Sequence, residues 1–272
     1  VSLLLLFLLG FLLNAAASVL ALWRGAIDPG GAAAGTVVGT LIFACGGPLF
    51  WLVLMAFFVS STALGMVGRR RKAGLHTINE KGGRRDALQV LANGGMGMLT
   101  AVLYRLSGNA AWAAGFAVSF ASSNADTWAS ELGVLSRWEP VSLLTFRRVP
   151  RGISGGLSGL GSLASLGGAA LIAVVFALIN LPLAIVHGSF LRVAGVIAAG
   201  GFVGSLVDSL LGATLQAQYA GPGNEVTEHR SAEDGTRNAL VRGIPFVDND
   251  VVNFASCAAV TVAAVLLAPL LG

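Results

Sequence analysis

SFASSNADTWASELG, residues 119–133, continues an apolar run (residues 110–118) suited to lipid, then sets Asn124, Asp126, Thr127 and Glu131 within eight residues. At about 100° per residue, a helix gathers Ser122, Asp126, Ser130, Ser123, Thr127, Glu131 and Asn124 into one continuous arc of about 200°. Ala121, Ala125, Trp128, Ala129 and Leu132 fill the opposite side. Carboxylates on a membrane helix are costly unless they face protein, water or a cation. Two readings follow. Either a helix end dips into water and its acids are solvated, or the polar arc lines a site.

The rest of the chain supports the lipid setting. Hydrophobic residues make up 55% and charged residues 11%, against about 25% charged in a soluble domain. The charges are also segregated: residues 1–22, 48–67 and 251–272 carry none. Runs near twenty residues match the thickness of a bilayer. The first is too long for a typical signal peptide and no cleavage motif follows it, so it is expected to be a span. Cys45 and Cys257 sit in apolar segments and give neither a disulfide framework nor metal-ligand spacing. His76, His187 and His229 are scattered singly and read as solvated or structural. The net charge of +4 comes from loops, so it reports topology, and no nucleic-acid partner is expected.

The pattern predicts an all-α, polytopic membrane helix bundle, one integral-membrane domain over residues 1–272. It has about eight spans: residues 3–22, 32–45, 48–67, 86–104, 110–133, 155–181, 193–216 and 251–271. The second is short and the sixth starts rich in glycine and serine. Loops at about 68–86, 133–153 and 217–250 follow the third, fifth and seventh. Loops after odd-numbered spans hold nearly all the Lys and Arg, including residues 69–72, Lys81, Arg84, Arg85, Arg137, Arg147, Arg148 and Arg151. The positive-inside bias places these loops in the cytoplasm of a multi-pass cell-membrane protein and puts both termini outside.

Under that topology Asp28, Asn93, Asn124, Asp126, Glu131, Ser154, Asp208 and Asn253 all fall toward the cytoplasmic surface. A transporter would gather its polar groups near the midplane at broken, repeat-related helices. One-sided polarity favours chemistry at the membrane–water boundary. In RRVPRGISGGLSGLGSLAS (residues 147–165) glycines would let backbone N–H groups approach an anion, with arginines beside them. Small-residue helix packing is the competing account. Residues 82–86 offer phosphate contacts or plain topological anchoring; residues 69–72 read as anchoring. Gly200, Gly204, Asp208 and Gly212 recur at four-residue steps and form a narrow packing ridge. Asp208 in that ridge must face inward, toward Mg²⁺ shared with another carboxylate or toward a structural arginine. The small-residue faces are compatible with a homo-oligomer.

Five blocks together carry a resemblance: GRR…QVLANGG (residues 83–95), SFASSNADTWASELG, TFRRVPRGISGGLSGLGSLAS (145–165), GGFVGSLVDSLLGATLQ (200–216) and NDVVNF (249–254). In this order, from about Gly25 to Phe254, the chain resembles the membrane-protein family that includes chloroplast phytyl-phosphate kinase and its prokaryotic relatives. That family is distantly related to dolichol kinases, other CTP-dependent lipid kinases and phosphatidate cytidylyltransferases. Ser154 stands where plant members are expected to carry threonine, which keeps the hydroxyl.

The resemblance implies transfer of the γ-phosphoryl group of CTP, or another NTP, to an isoprenoid-alcohol monophosphate such as phytyl or geranylgeranyl phosphate, giving the diphosphate. It implies Mg²⁺ held by the catalytic carboxylates Asp126, Glu131 and Asp208. Asn93, Asn124 and Thr127 would orient phosphate or metal-bound water. Arg151, Gly152, Ser154, Gly155, Gly156, Ser158 and Gly159 would cradle the triphosphate, and Arg84, Arg85 and Arg148 would offset acceptor charge. Asp28 and Asn253 are further candidates. Two alternatives stand beside this: cytidylyl transfer to a lipid phosphate, and a non-enzymatic prenyl-lipid transporter.

Overall fold

The computed structural model describes residues 2–68, 84–221, 223, 225–232 and 234–268. The basic cluster at residues 69–72 and Lys81 lies outside the described residues. Among the described residues seven helices run α1 (Leu3–Trp23), α2 (Pro29–Met66), α3 (Ala87–Ser107), α4 (Ala110–Gly133), α5 (Gly159–Leu183), α6 (Phe190–Thr214) and α7 (Asn249–Leu267). All but α4 are long and apolar enough to cross a membrane.

The second and third expected spans form the single element α2, broken at Gly47 (φ 78°, ψ 178°) before Pro48. Glycine tolerates that conformation, and proline cannot donate to the preceding turn. The two halves fold back on each other. Asn14 of α1 is met by Gly39 from the first half and by Trp51 Nε1 from the second, at 3.0 Å. Likewise Arg85 is met by Gly31 from the first half, and its guanidinium lies 5.7 Å from the Phe57 ring of the second. Each half, residues 29–46 and 48–66, extends about 27 Å, close to the hydrocarbon thickness. Counted this way the described residues hold eight membrane-length segments.

α4 occupies the middle, packed against α2, α3, α5, α6 and α7, and every residue from Ala113 to Ala125 is buried. Its alanines, serines and glycine make this close approach cheap, and the neighbours answer with glycines of their own. A Cβ at Gly97 would collide with Phe120, at Gly201 with Ala121, at Gly204 with Ser122 and at Gly168 with the Asn124 carbonyl. Aromatic packing fills what remains: Phe50 stacks on Phe116 at 4.3 Å, and Phe116 meets Phe120 edge-on at 5.1 Å. α1, by contrast, displays leucines such as Leu4, Leu8 and Leu12 outward, as a lipid-facing helix should.

The alternation of segments brings one end of each to a common side. The C-terminal ends of α1, the second half of α2, α4 and α6 meet the N-terminal ends of the first half of α2, α3, α5 and α7. Those N-terminal ends are capped by Asp28, Asp86, Ser158 and Asp248, each accepting a backbone N–H of the first turn. The connections here carry β-structure that the sequence reading did not foresee. β1 (Val141–Ser142) pairs antiparallel with β2 (Gly156–Leu157). β3 (Gln218–Ala220) lies between β4 (Val226–Thr227) and β5 (Ala239–Arg242), antiparallel to both.

Candidate functional site

At this common end lies a cavity of about 1010 Å³. One part of its wall is apolar, formed by Leu20 and Ala21 of α1, Val38, Leu54, Met55 and Phe58 of α2, and Phe202 and Leu206 of α6. The other part is polar and built from Asp126, Thr127, Ser130, Asp208, Ser209, residues 151–158 and the segment after α6. A space with both characters suits an amphiphile with a charged head.

Asp126 and Asp208 are brought together by the α4–α6 contact that Gly201 and Gly204 permit. Their carboxyl groups lie in side-chain hydrogen-bond contact. The Ser256 hydroxyl of α7 donates to Asp208 Oδ2 at 2.9 Å. Two carboxylates at such range repel unless a proton or cation lies between them. Glu228, between β4 and β5, adds negative charge near Asp208 and accepts a hydrogen bond from Ser154 Oγ. That bond ties the glycine-rich loop to the β3–β5 sheet.

The loop itself turns through Gly152 (φ 87°) and Gly155 (φ 85°), both in the left-handed region. Gly155 also lies so close to Ala213 of α6 that a Cβ there would overlap it. Ser158 closes the loop by accepting from Gly161 N at 3.0 Å and donating to the Gly133 carbonyl. Arg151 is in the cavity wall, with one guanidinium nitrogen donating to the Arg137 carbonyl at 2.9 Å. Arg85 is also in the cavity wall. Its backbone is clamped to residues 26 and 28 by hydrogen bonds of 3.1 and 3.0 Å. Burial pulls the guanidinium below the ordinary arginine pKa, and the nearby Glu131 carboxylate pulls it back up.

Several expected roles are revised by this geometry. Among the described residues no group of three His, Cys, Asp or Glu side chains could hold one metal ion. Glu131 lies beside the Gly65 end of α2, and its charge acts on Arg85. Asn124 is fully buried and consumed by structure. Its Oδ1 accepts from Ser60 Oγ at 3.1 Å and Ser61 Oγ at 3.0 Å, and its Nδ2 donates to the Gly168 carbonyl at 2.8 Å. Arg148 is exposed on the β1–β2 ribbon and Gly159 starts α5; neither is in the cavity wall. Arg84 is also outside the wall, its guanidinium resting near Gly25. Asp28 caps α2 by accepting from Gly31 N at 2.7 Å.

Asn93, Thr127, Gly156 and Asn253 do line the cavity. Asn93 Nδ2 and Thr127 Oγ1 each bond a carbonyl four residues earlier, at 3.0 and 2.8 Å. Residues not anticipated also line it: Glu228, Gln216, Tyr219 and Arg230, all from the connection after α6. That stretch has no helical periodicity. Its one signal in the sequence was length, a mixed-charge loop longer than a plain connection needs.

Comparison with known proteins agrees with this architecture. The model of the family "Integral membrane protein DUF92" matches residues 12–261. Protein PGR of Arabidopsis thaliana is 32% identical over 252 residues, covering 86% of each chain. An uncharacterized membrane protein of Methanocaldococcus jannaschii is 32% identical over 70% of this chain and 75% of its own. Protein VTE6, chloroplastic, of Arabidopsis thaliana is 32% identical over 52% of this chain and 44% of its own. No solved structure matches. An apolar eight-segment bundle, the motif blocks and a match over nearly the whole chain lead to one assignment: the chain belongs to the DUF92 family of integral membrane proteins.

Proposed function

We propose that the chain is a membrane-embedded, Mg²⁺-dependent kinase that moves the γ-phosphoryl group of CTP, or another NTP, onto an isoprenoid-alcohol monophosphate. The observation that carries this reading is the single cavity in which the Asp126–Asp208 pair, the glycine loop and an apolar wall meet. The donor set fits the metal: Mg²⁺ favours oxygen ligands and commonly binds through one or two carboxylates plus substrate phosphates. Asp126 and Asp208 would hold it, and its charge would offset that of the polyphosphate.

The chain's own groups do the positioning. Residues 151–158 would offer backbone N–H groups to phosphate oxygens, with Ser154 and Ser158 fixing the loop through Glu228 and the Gly133 carbonyl, and the start of α5 favours the same charge. Arg85 and Arg151, both in the cavity wall, would bring positive charge to the acceptor phosphate. Leu20, Val38, Leu54, Met55 and Phe58 receive the prenyl tail. An acceptor oxygen bonds to the γ-phosphorus, the bond from that phosphorus to the β–γ bridging oxygen breaks, and the nucleoside diphosphate leaves. A phosphate acceptor already carries negative charge, so no strong general base is required, and the catalysis rests on placement and charge. Most of the described arginines, Arg105 and Arg192 apart, lie toward the cavity end, which under the positive-inside bias is cytoplasmic, where nucleotide is available.

The test is transfer of label from γ-labelled CTP, with Mg²⁺, to phytyl or geranylgeranyl phosphate by purified protein in nanodiscs. Absence of labelled lipid across several nucleotides and prenyl phosphates overturns the proposal. Label arriving from the α-phosphate instead identifies cytidylyl transfer.

A further inference from the structure

We infer that the buried amide of Gln216 is the base-reading group of a nucleotide subsite, taking the hydrogen-bonding edge of the nucleobase. The inference rests on the nucleotide-donor reading above and assigns part of that site. Gln216 follows the end of α6 and is 1% exposed, yet it belongs to the cavity wall. Neither its Nε2 nor its Oε1 has a hydrogen-bond partner among the described residues. A primary amide carries two donor hydrogens and an acceptor oxygen, and burying all of them unmet costs stability. Such a group is explained when something outside the chain completes it.

Its position fits a nucleotide. Gln216 Oε1 lies 3.4 Å from the point where a Gly212 Cβ would stand, and that point is 3.3 Å from Gly155 N of the glycine loop. The amide is therefore next to the segment offered for the phosphates. Ser165 Oγ is a second buried polar atom of the same wall without a partner among the described residues. Tyr219 contributes a fixed ring to the wall, its hydroxyl donating to the Pro245 carbonyl at 3.3 Å.

The chemistry of the amide selects the ligand class. A phosphate or a polyphosphate only accepts, so it could engage Nε2 and would leave Oε1 unmet. A metal would engage Oε1 and leave Nε2 unmet. A nucleobase edge presents a donor beside an acceptor and satisfies both at once, as cytosine does with its amino group and ring nitrogen.

Calorimetric titration of the full chain in nanodiscs with CTP, ATP, GTP, UTP and inorganic tripolyphosphate tests this, comparing wild type with Gln216→Ala and Gln216→Glu. The expected result is that Gln216→Ala weakens the preferred nucleotide about tenfold and leaves tripolyphosphate binding unchanged. Gln216→Glu, whose carboxylate only accepts, shifts the ranking toward GTP, because guanine places two donors side by side. Should Gln216→Ala fail to fold in thermal unfolding, Gln216→Met and Gln216→Glu carry the comparison. Unchanged nucleotide affinity in the folded variants overturns the inference. So does an equal loss for tripolyphosphate and nucleotides, which marks a purely structural role. Wild type that binds tripolyphosphate as tightly as any nucleotide removes the base subsite and leaves the phosphate site standing. Wild type that binds no nucleotide removes both readings.

Discussion

The Ser256 hydroxyl, on α7, donates to Asp208 Oδ2, on α6, across 2.9 Å and holds that carboxylate where it meets Asp126 of α4. Ser256 is outside the cavity wall; it fixes Asp208, which is part of that wall. Ser256→Ala should lower the rate of γ-label transfer about tenfold and raise the Mg²⁺ needed for half-maximal rate, with Ser256→Thr restoring much of both. Asp126→Asn and Asp208→Asn should each lower the rate on the order of a thousandfold, since each removes charge from the pair. Initial rates over a Mg²⁺ series, with thermal unfolding as the control for folding, distinguish these from general destabilisation. A Ser256→Ala protein with wild-type Mg²⁺ dependence would falsify the positioning role.

Gly155 tests the loop. Its φ of 85° is costly for any residue with a Cβ, and Ala213 occupies the space that Cβ would need. Gly155→Ala is expected to destabilise by about 1–3 kcal/mol and to weaken nucleotide binding, because the loop must shift away from α6. Gly159→Ala, at a position with nothing within 4 Å, should leave both nearly unchanged. Unfolding temperature and nucleotide titration on the two variants make the comparison.

Much of this architecture could be read from residues alone, and the reasons are physical. Uncharged runs of membrane length gave the segments, and Gly46-Gly47-Pro48 marked the fold-back inside α2 because those residues cannot continue a helix there. Asp126 and Asp208 could be named because an acid among small residues on a membrane helix needs a partner, whereas their meeting required the fold. Helical periodicity gives the direction of a side chain but not its neighbour. Asn124 and Asp126 share one polar arc, yet Ser60 and Ser61 claim the first and the cavity receives the second. Glu131 lies on the same arc, and its charge acts on Arg85, which arrives from a distant connection. Strands of two to four residues leave no alternation to detect, so the β3–β5 sheet went unread and Glu228 was marked only by the length of its loop.

Asn124 gives a prediction that separates structure from binding. Its amide ties α4 to α2 through two hydroxyls and to α5 through the Gly168 carbonyl. Hydrogen bonds between membrane helices are modest, but Asn124→Ala removes three at once. The expected loss is about 1–3 kcal/mol of stability, seen as a lower unfolding temperature in detergent. Nucleotide affinity measured well below that temperature should stay within about twofold of wild type, since no atom of Asn124 reaches the cavity. A large loss of affinity in a folded Asn124→Ala protein would return the residue to the binding site.

Arg85 and Glu131 provide the last test, because each controls the environment of the other. The guanidinium lies 5.7 Å from the Phe57 ring and is held by a backbone clamped to residues 26 and 28. Burial disfavours its charge, and Glu131 compensates. Removing the carboxylate with Glu131→Gln leaves the positive charge poorly balanced, so stability should fall while the attraction for a phosphate increases. Removing the cation with Arg85→Ala should weaken binding of prenyl phosphate and spare the affinity for a neutral prenyl alcohol. If Arg85 served only to anchor the chain at the membrane surface, both ligands would lose affinity alike or neither would. Parallel binding curves for the phosphate and the alcohol, on wild type and both variants, separate an acceptor-phosphate contact from a topological anchor.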